Sequence, residues 1–493
     1  MKNIKNYILL LSLGLVTACQ YEFPEEIVAE PTPGQANFSK MVSLGNSLTA
    51  GYMDGTLYNR GQQNSFAVIL AEQLRVVGGG DFNVPSINSE NGFFGMGPNN
   101  TPLGRLILTI NPTTGAVGPA PTMPGEVPTP YTGNKAAINN FGVPGVTLGT
   151  ALIAATGGPN VPQNPAFNPY YARMASNPGT STLVGDAAAA MANGGTFFTF
   201  WLGNNDVLGY ATGGASNPAI LTSDTDFQQR LSAALGAMLA ANPQAKGAVA
   251  NIPNLNVLPY FNLVPWNALP VTQQQATQIN QAYALYNGGL ALAQQGGAIS
   301  AEERALRTIN FVAGQNGFVM EDETLTNLSA MGLPSIRQSR NTDKATLTLS
   351  SALGQPVGGD PNRVRGISHP VEDQFVLLPS EQQQIQTKIN TFNGFIAAAV
   401  SGNSDRLVLA DVKDLLDRTT TGSVNAGGQV LTASILPPNG GFSLDGVHPN
   451  ARAHAFVANL LIEVINNKWG ANIPMVNPNA SVSYTHLTLP TKP

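Results

Sequence analysis

The sequence predicts an α/β fold in which about five parallel strands form a central sheet with helices packed against it. Runs of apolar and β-branched residues alternate with segments whose apolar residues recur at helical spacing, which is typical of a parallel sheet. Residues 196–202 are nearly all apolar or β-branched, as expected for a strand covered on both faces. The composition, 43% hydrophobic and 11% charged with 52 glycines and 36 prolines, indicates a folded chain with many loops.

The elements of this core follow one another along the chain. The first strand is predicted at 38–44, and after a serine-bearing turn a helix begins that Asn64 or Ser65 can cap. Further strands are predicted at 136–140, 196–202, 247–252 and 406–410, and further helices at 186–192, around 227–239, at 381–400 and after Asn450.

Three stretches interrupt this alternation. Residues of about 78–133 and 157–185 are rich in glycine, proline and asparagine, and connections of that length are unusual within a compact core. Residues of about 255–379 contain predicted helices near 273–295 and 302–310 followed by turn-rich sequence. We therefore expect one domain over 37–470 with three insertions, the last of which forms a cap or subdomain.

The first residues have the layout of a secretory signal. Lys2 and Lys5 precede an apolar run at 7–16 that is too short to span a bilayer. The run ends in Val16-Thr-Ala-Cys19, which resembles a bacterial lipobox. This resemblance implies a signal peptide at 1–18, lipidation of Cys19, a solvated tether at 19–36 and a lipoprotein of the bacterial outer membrane, on its periplasmic or cell-surface face.

The C-terminal residues do not continue the pattern of alternating strands and helices. After Gly470 the helical pattern stops, and 471–493 is predicted to be a tail. Residues 481–493 resemble a translated sequencing-adapter read-through more than a native terminus, so they and His486 are set aside from the fold.

Charge and residue types exclude several classes of protein. Net charge is -5, or -7 without the signal peptide, so a nucleic-acid partner is not expected. Cys19 is the only cysteine, so there is no disulfide framework and no thiolate metal site. His369 is predicted to lie in a loop and His454 on a helix surface, away from other ligands. No metal or cofactor is therefore expected.

Two separate stretches carry residues typical of nucleophilic catalysis. Ser47 follows the first strand in Gly45-Asn-Ser-Leu, at the sheet edge where α/β folds place their chemistry. Asp445 and His448 lie three residues apart directly before the last helix. This spacing lets a carboxylate hold one imidazole nitrogen while the other faces a hydroxyl. Each stretch also has an interpretation that involves no chemistry. Ser47 can belong to an ordinary turn, and Asp445 can be a turn or capping residue beside a loop histidine, His448.

Together with two further pieces, these stretches resemble the blocks of the SGNH (GDSL-type) hydrolases. The blocks occur in the family's order: Gly45-Asn-Ser47-Leu, Asn140-Phe-Gly142, Gly203-Asn-Asn205-Asp and Asp445-Gly-Val-His448. The resemblance implies a three-layer α/β/α sandwich with a flavodoxin-like sheet. It also implies that Ser47 is the nucleophile, His448 the general base and then acid, and Asp445 its orienting carboxylate.

The same resemblance implies an oxyanion hole made by the N–H groups of Ser47 and Gly142 and the side-chain amide of Asn205. Asp206 is expected to cap the following helix. Asn46 stands where the family's block usually has aspartate; it keeps the shape but loses the charge and acceptor positions, so support of the serine turn is expected to differ.

The predicted function is hydrolysis of a carboxylic ester through an acyl-serine intermediate. The partner would be an ester-bearing small molecule, a lipid or an acylated glycan, with the membrane contacted through the lipid anchor. The alternative is a catalytically inactive surface lipoprotein that binds glycans or proteins. Aromatic residues of the insertions, Phe93, Phe94, Tyr170 and Tyr171, can line a substrate subsite or pack the loops themselves, and loop packing is the commoner role.

Overall fold

The structure, a computed structural model, describes residues 30–110, 117–422, 424–426 and 428–480. The predicted signal peptide, Cys19, the first part of the predicted tether and residues 481–493 lie outside the described residues. Among the described residues, none of the helices combines the length and apolar character that a membrane span requires.

A parallel sheet of five strands forms the centre of the molecule, as the sequence predicts. The strands are β1 (Met41–Gly45), β2 (Asn140–Gly142), β3 (Phe197–Trp201), β4 (Lys246–Ala250) and β5 (Leu407–Ala410). Their spatial order is β2-β1-β3-β4-β5, with every neighbouring pair parallel. This is the flavodoxin-like order, in which the strand order reverses beside β1 and leaves a crevice at the carboxyl ends of the strands.

Helices cover both faces of the sheet, and further helices lie in the insertions. They are, in chain order, α1 (Ser47–Ala50), α2 (Asn59–Gln63), α3 (Phe66–Arg75), α4 (Leu148–Ala151), α5 (Pro169–Ala172), α6 (Leu183–Ala192), α7 (Asn205–Thr212), α8 (Asp224–Ala241), α9 (Gln273–Ala282), α10 (Ala284–Gln295), α11 (Ala301–Arg307), α12 (Leu349–Ala352), α13 (Pro379–Ser401), α14 (Val412–Thr419) and α15 (Ala451–Trp469).

Alternate residues of the central strands pack into two separate cores. Phe198 and Phe200 of β3 lie in the core formed with α6, α8 and α13. Phe197 and Trp201 of the same strand lie in the core formed with α3 and α15. Because successive side chains of a strand point to opposite faces, an uninterrupted apolar run is what a sheet buried on both sides requires. The fold is therefore a three-layer α/β/α sandwich.

The predicted insertions form short antiparallel ribbons and small helices around this sandwich. Within 78–133, Gly95–Met96 pairs with Pro102–Leu103, and Leu106–Ile110 pairs with Val117–Pro121. Within 255–379 the pairs are Leu269–Val271 with Gly314–Asn316, Val319–Glu321 with Ile336–Gln338, Lys344–Ala345 with Val376–Leu377, and Pro356–Val357 with Asp360–Val364. A last pair, Val424–Ala426 with Gln429–Leu431, follows α14.

The largest insertion has a core of its own, which includes the fully buried Phe318 and Met320. Arg337 is buried there between Asp322 and Asp343, at 2.5 and 2.7 Å. A guanidinium that is bonded to two carboxylates satisfies the polar groups that burial would otherwise leave unpaired. The insertion is thus a small subdomain with its own apolar core.

Several element boundaries differ by a few residues from the sequence-based expectations; β1, for example, begins at Met41 rather than at 38. Strand β2 begins at Asn140, whereas 136–140 was the predicted strand; Lys135–Ala137 forms a 3-10 turn that Asn134 caps. The part of the predicted tether at 30–36 contacts the end of α15, where Gln35 N–H donates to Trp469 O and Thr32 pairs with Asn472. These backbone groups of the predicted tether therefore find partners on the domain.

Candidate active site

Ser47 lies at the carboxyl end of β1, in the first position of α1. The short helix begins because Asn46, as its N-cap, accepts a hydrogen bond from Leu48 N–H at 3.0 Å through its side-chain oxygen. Asparagine therefore makes the capping bond that an aspartate could make at this position. Ser47 is 5% exposed, and its N–H, as the first of the helix, has no carbonyl within that helix to donate to.

His448 reaches Ser47 from the other end of the chain. With Nδ1 protonated, the imidazole donates to Asp445 Oδ2 at 2.9 Å, and its Nε2 accepts from Ser47 Oγ at 2.9 Å. The hydroxyl, the imidazole and the carboxylate thus form a continuous hydrogen-bonded chain with the geometry of a catalytic triad. The structure brings together all three residues that the sequence analysis selected.

Asp445 is held by backbone groups on both sides. Its Oδ1 accepts from the N–H groups of Val447 and His448, each at 2.9 Å, and its Oδ2 also accepts from Gly55 N–H at 2.9 Å. Burial by itself raises the pKa of Asp445, but the His448 charge and these hydrogen bonds outweigh burial and hold the pKa at about 2. The carboxylate is therefore ionised at any pH near neutrality.

The turn at Asp54 and Gly55 fixes the loop that carries Asp445. Asp54 N–H donates to Ser443 Oγ, and Asp54 Oδ1 accepts from Leu444 N–H, both at 3.0 Å. The ring of Tyr52 lies against His448, with 4.8 Å between ring centroids. This turn was not among the predicted site residues, and its signal in the sequence is the Asp54-Gly55 dipeptide. In the structure Asp54 has a left-handed backbone, which aspartate tolerates better than most residues.

The predicted oxyanion donors differ in whether they line the pocket and in whether their N–H groups are already bonded. Asn205 begins α7 and lines the same pocket as Ser47 and His448. Its Nδ2 donates to Val146 O at 2.8 Å, which uses one of its two N–H bonds. Gly142 N–H already donates to Asn140 Oδ1 at 2.9 Å, and Gly142 does not line the pocket.

Two glycines of the blocks are required by the backbone around them. A Cβ at Gly142 would meet Ala50 N at 2.3 Å, so α1 could not approach β2 as closely. Gly203 has φ +108, a conformation that L side chains rarely adopt, and this turn brings α7 to the sheet edge.

Asp206 does not cap α7 as expected. Its Oδ2 accepts from Leu148 N–H at 2.8 Å and its Oδ1 from Thr222 Oγ at 2.9 Å, so it ties α7 to α4. Burial raises the pKa of Asp206 to about 6. Asp206 directly follows Asn205, and it bonds Leu148, which lies two residues after Val146. The Val146 carbonyl accepts from the Asn205 side chain, so Asp206 helps to hold that side chain in place.

The expectation that His454 lies on a helix surface is wrong. The side chain is fully buried, stacked on Phe66, and its Nδ1 accepts from Phe66 N–H at 3.2 Å. Burial and, to a smaller extent, the nearby His448 lower the pKa of His454 to about 3. His454 is therefore neutral at neutral pH. His369, as expected, lies in a loop, beside Arg363 and Glu372.

A group of carboxylates that the sequence analysis missed lies in the largest insertion and at the start of α13. Ligand atoms of Glu323, Asp373 and Glu381 lie within 4.8 Å of one another. Burial, helped by the neighbouring carboxylates, raises the pKa of Glu381 to about 8 and that of Asp373 to about 6. Glu381 already accepts from Leu378 N–H at 2.7 Å. Because acidic groups commonly cluster without an ion, this cluster carries no metal assignment.

Among the aromatic residues of the insertions, some pack against other side chains and one is exposed. Tyr171 is fully buried in the core with α6, and Tyr170 packs edge-on against Tyr52. Phe94 is 46% exposed. None of the four residues, Phe93, Phe94, Tyr170 and Tyr171, is among those that line the pocket at Ser47.

Comparison of the chain with profiles of known protein families, with curated proteins and with solved structures found no match.

Proposed function

We propose that this protein is a serine-dependent carboxylic ester hydrolase of the SGNH (GDSL) type. The observation that carries the proposal is the hydrogen-bonded chain from Ser47 Oγ through His448 to Asp445, with 2.9 Å at each step. These residues are at the carboxyl edge of a flavodoxin-like sheet, where ligands of such folds bind.

The chemistry follows from the partners of each group. Ser47 Oγ attacks the ester carbonyl while its proton moves to His448 Nε2, and the negative charge of Asp445 stabilises the imidazolium that forms. His448 then returns the proton to the leaving alcohol, which leaves an acyl group on Ser47. A water molecule, deprotonated by His448, hydrolyses the acyl-serine and releases the acid. The mechanism calls for no cofactor.

The tetrahedral intermediate needs donors for its oxyanion. The N–H of Ser47, at the start of α1, and the second N–H of the Asn205 amide are the donors that we assign to it. Gly142 N–H can join them only by sharing or leaving its bond to Asn140. Two donors are therefore assigned to the oxyanion, and the third requires a local rearrangement.

The rival function is an inactive lipoprotein that binds glycans or protein partners. The internal hydrogen bond of Gly142 favours it, since that bond occupies one expected donor. For either function we propose lipidation at Cys19 and attachment to the bacterial outer membrane, facing the periplasm or the cell surface.

The decisive experiment compares Ser47→Ala with Ser43→Ala on activated acyl esters and with a fluorophosphonate probe. Ser43 is a matched control because it is fully buried on the same strand and bonds Thr199 rather than the triad. We expect Ser47→Ala to lose nearly all turnover and all labelling, and Ser43→Ala to keep both. Equal rates for wild type and Ser47→Ala would overturn the mechanism, and absence of both turnover and labelling in the wild type would favour the rival.

A further inference from the structure

The pocket that opens at Ser47 and His448 is polar at one end and apolar along the rest of its wall. Its polar end is formed by Ser47 and His448 and by three asparagines, Asn46, Asn204 and Asn205. Its wall runs between α7, α14 and α15 and includes Leu208, Leu255, Leu258, Leu415, Leu416 and Val457. A carbonyl group at Ser47 would thus have its substituent directed along an apolar surface.

The few polar side chains of the far wall are already bonded. Thr419 Oγ donates to Leu416 O at 2.6 Å, and Thr432 Oγ donates to Asn439 O at 3.1 Å. Among the residues that the structure describes, His448 is the one acidic or basic residue that lines the pocket. A sugar ring placed here would give up its hydrogen bonds with water and find few in return, whereas an alkyl chain would lose nothing.

The volume of the pocket limits the length of such a chain. The cavity measures about 90 Å³. A single water molecule requires at least roughly 10–15 Å³ on this scale, so the pocket has room for several methylene groups, more than an acetyl group would fill.

We propose that this pocket binds the acyl chain of the substrate, and that the substrate is a medium-chain fatty acyl ester. This proposal rests on the ester hydrolase function above. The chain enters between α7 and α14, its carbonyl carbon stops at Ser47 Oγ, and the alcohol moiety stays on the open side. The bond from Ser47 Oγ to the acyl carbon forms, the alcohol C–O bond breaks, and water later releases the fatty acid.

The first test is a series of p-nitrophenyl esters from acetyl to palmitoyl, assayed with the full chain. Each buried methylene is expected to raise kcat/KM by about three- to fourfold, which gives roughly a hundredfold between acetyl and hexanoyl. Once the chain fills the pocket, the rise should stop. A series in which acetyl is the best substrate, or in which chain length has no effect, would overturn the proposal.

Two substitutions at Leu416 test the pocket in opposite directions. Leu416 is half-buried on α14, so Leu416→Trp should fill the pocket and lower the hexanoyl-to-acetyl ratio of kcat/KM by at least about tenfold. Leu416→Ala should enlarge the pocket and move the optimum to longer chains. Leu285→Trp is the control, because Leu285 is 90% exposed on α10, and its ratio should equal that of wild type. Unchanged ratios in both Leu416 variants would overturn the proposal.

A binding measurement separates this proposal from the enzymatic one. Octanoate is titrated calorimetrically into Ser47→Ala, which needs no turnover. Binding that is tighter than that of butyrate and lost in the double variant with Leu416→Trp supports the pocket, even if no ester is hydrolysed. Serine-dependent ester turnover without octanoate binding would overturn the pocket and leave the hydrolase function standing.

Discussion

Replacing Asp445 by asparagine is the sharpest test of the triad, because the structure decides how the amide must lie. The wild-type carboxylate accepts four hydrogen bonds, two at each oxygen. If the amide nitrogen takes the place of Oδ1, it faces two backbone N–H groups. If it takes the place of Oδ2, it faces Gly55 N–H and the imidazole, whose Nδ1 can become an acceptor. The second orientation leaves one conflict instead of two and is therefore preferred.

The preferred orientation locks His448 in the wrong tautomer. With Nδ1 as acceptor, the proton lies on Nε2, which can no longer take the proton of Ser47. Loss of the negative charge also removes roughly 4 kcal/mol of attraction to the imidazolium, for charges about 4 Å apart at an effective dielectric constant of about 20. With at least about 1 kcal/mol for the extra unmade hydrogen bond of the productive orientation, kcat should fall by about 10⁴.

The assay measures kcat and KM on acyl esters, with ¹⁵N NMR of the histidine side chains to identify the tautomer of His448. Asp54→Asn is the control: it lies in the adjoining turn, and an amide there can still accept from Leu444 N–H and bond the Tyr58 hydroxyl. We expect Asp54→Asn to keep kcat within about tenfold. An Asp445→Asn enzyme within tenfold of wild type, or equal losses in the two variants, would refute the reasoning.

Two further outcomes are expected. Asn205→Ala should lower kcat by about a hundredfold or more, because an oxyanion donor is lost. Asn204→Ala is the control and should keep kcat within about tenfold of wild type, because Asn204 Oδ1 is buried without a partner. Equal effects of the two substitutions in steady-state assays would contradict the role of Asn205. His454 has a folded-state pKa of about 3, below its usual 6.5, so the unfolded chain takes up this proton first and stability falls as pH drops from 6.5 to 3. The loss in free energy of unfolding that His454 causes should reach about 5 kcal/mol. Denaturant unfolding should therefore show a shallower acid decline for His454→Phe than for wild type, and parallel profiles would contradict this.

Local features of the chain were predictable because they depend on near neighbours in sequence. The strand at β3 follows from seven consecutive apolar or β-branched residues, and the helix at α3 follows from helical spacing and the cap at Ser65, whose hydroxyl accepts from Val68 N–H. The bond between Asp445 and His448 spans only three residues, so the motif itself indicates the pair.

Features that depend on packing were not predictable in the same way. His454 lies on a helix whose apolar stripe is broad, and sequence periodicity could not show that α3 covers its side chain. The bond of Gly142 N–H to Asn140 depends on where β2 begins, which differs by four residues from the expected start. The three carboxylates of Glu323, Asp373 and Glu381 come from well-separated positions that only the folded insertion brings together.

The sequence by itself determined the class of fold, the order of the elements and the residue types that chemistry at Ser47 would need, because hydrophobic periodicity and turn composition are written locally. Only the tertiary structure decided that His448 meets Ser47 across 401 residues of chain, and that α7, α14 and α15 enclose an apolar pocket beside them. Those outcomes arise from the burial of both sheet faces, a cooperative packing in which no single segment specifies its partner.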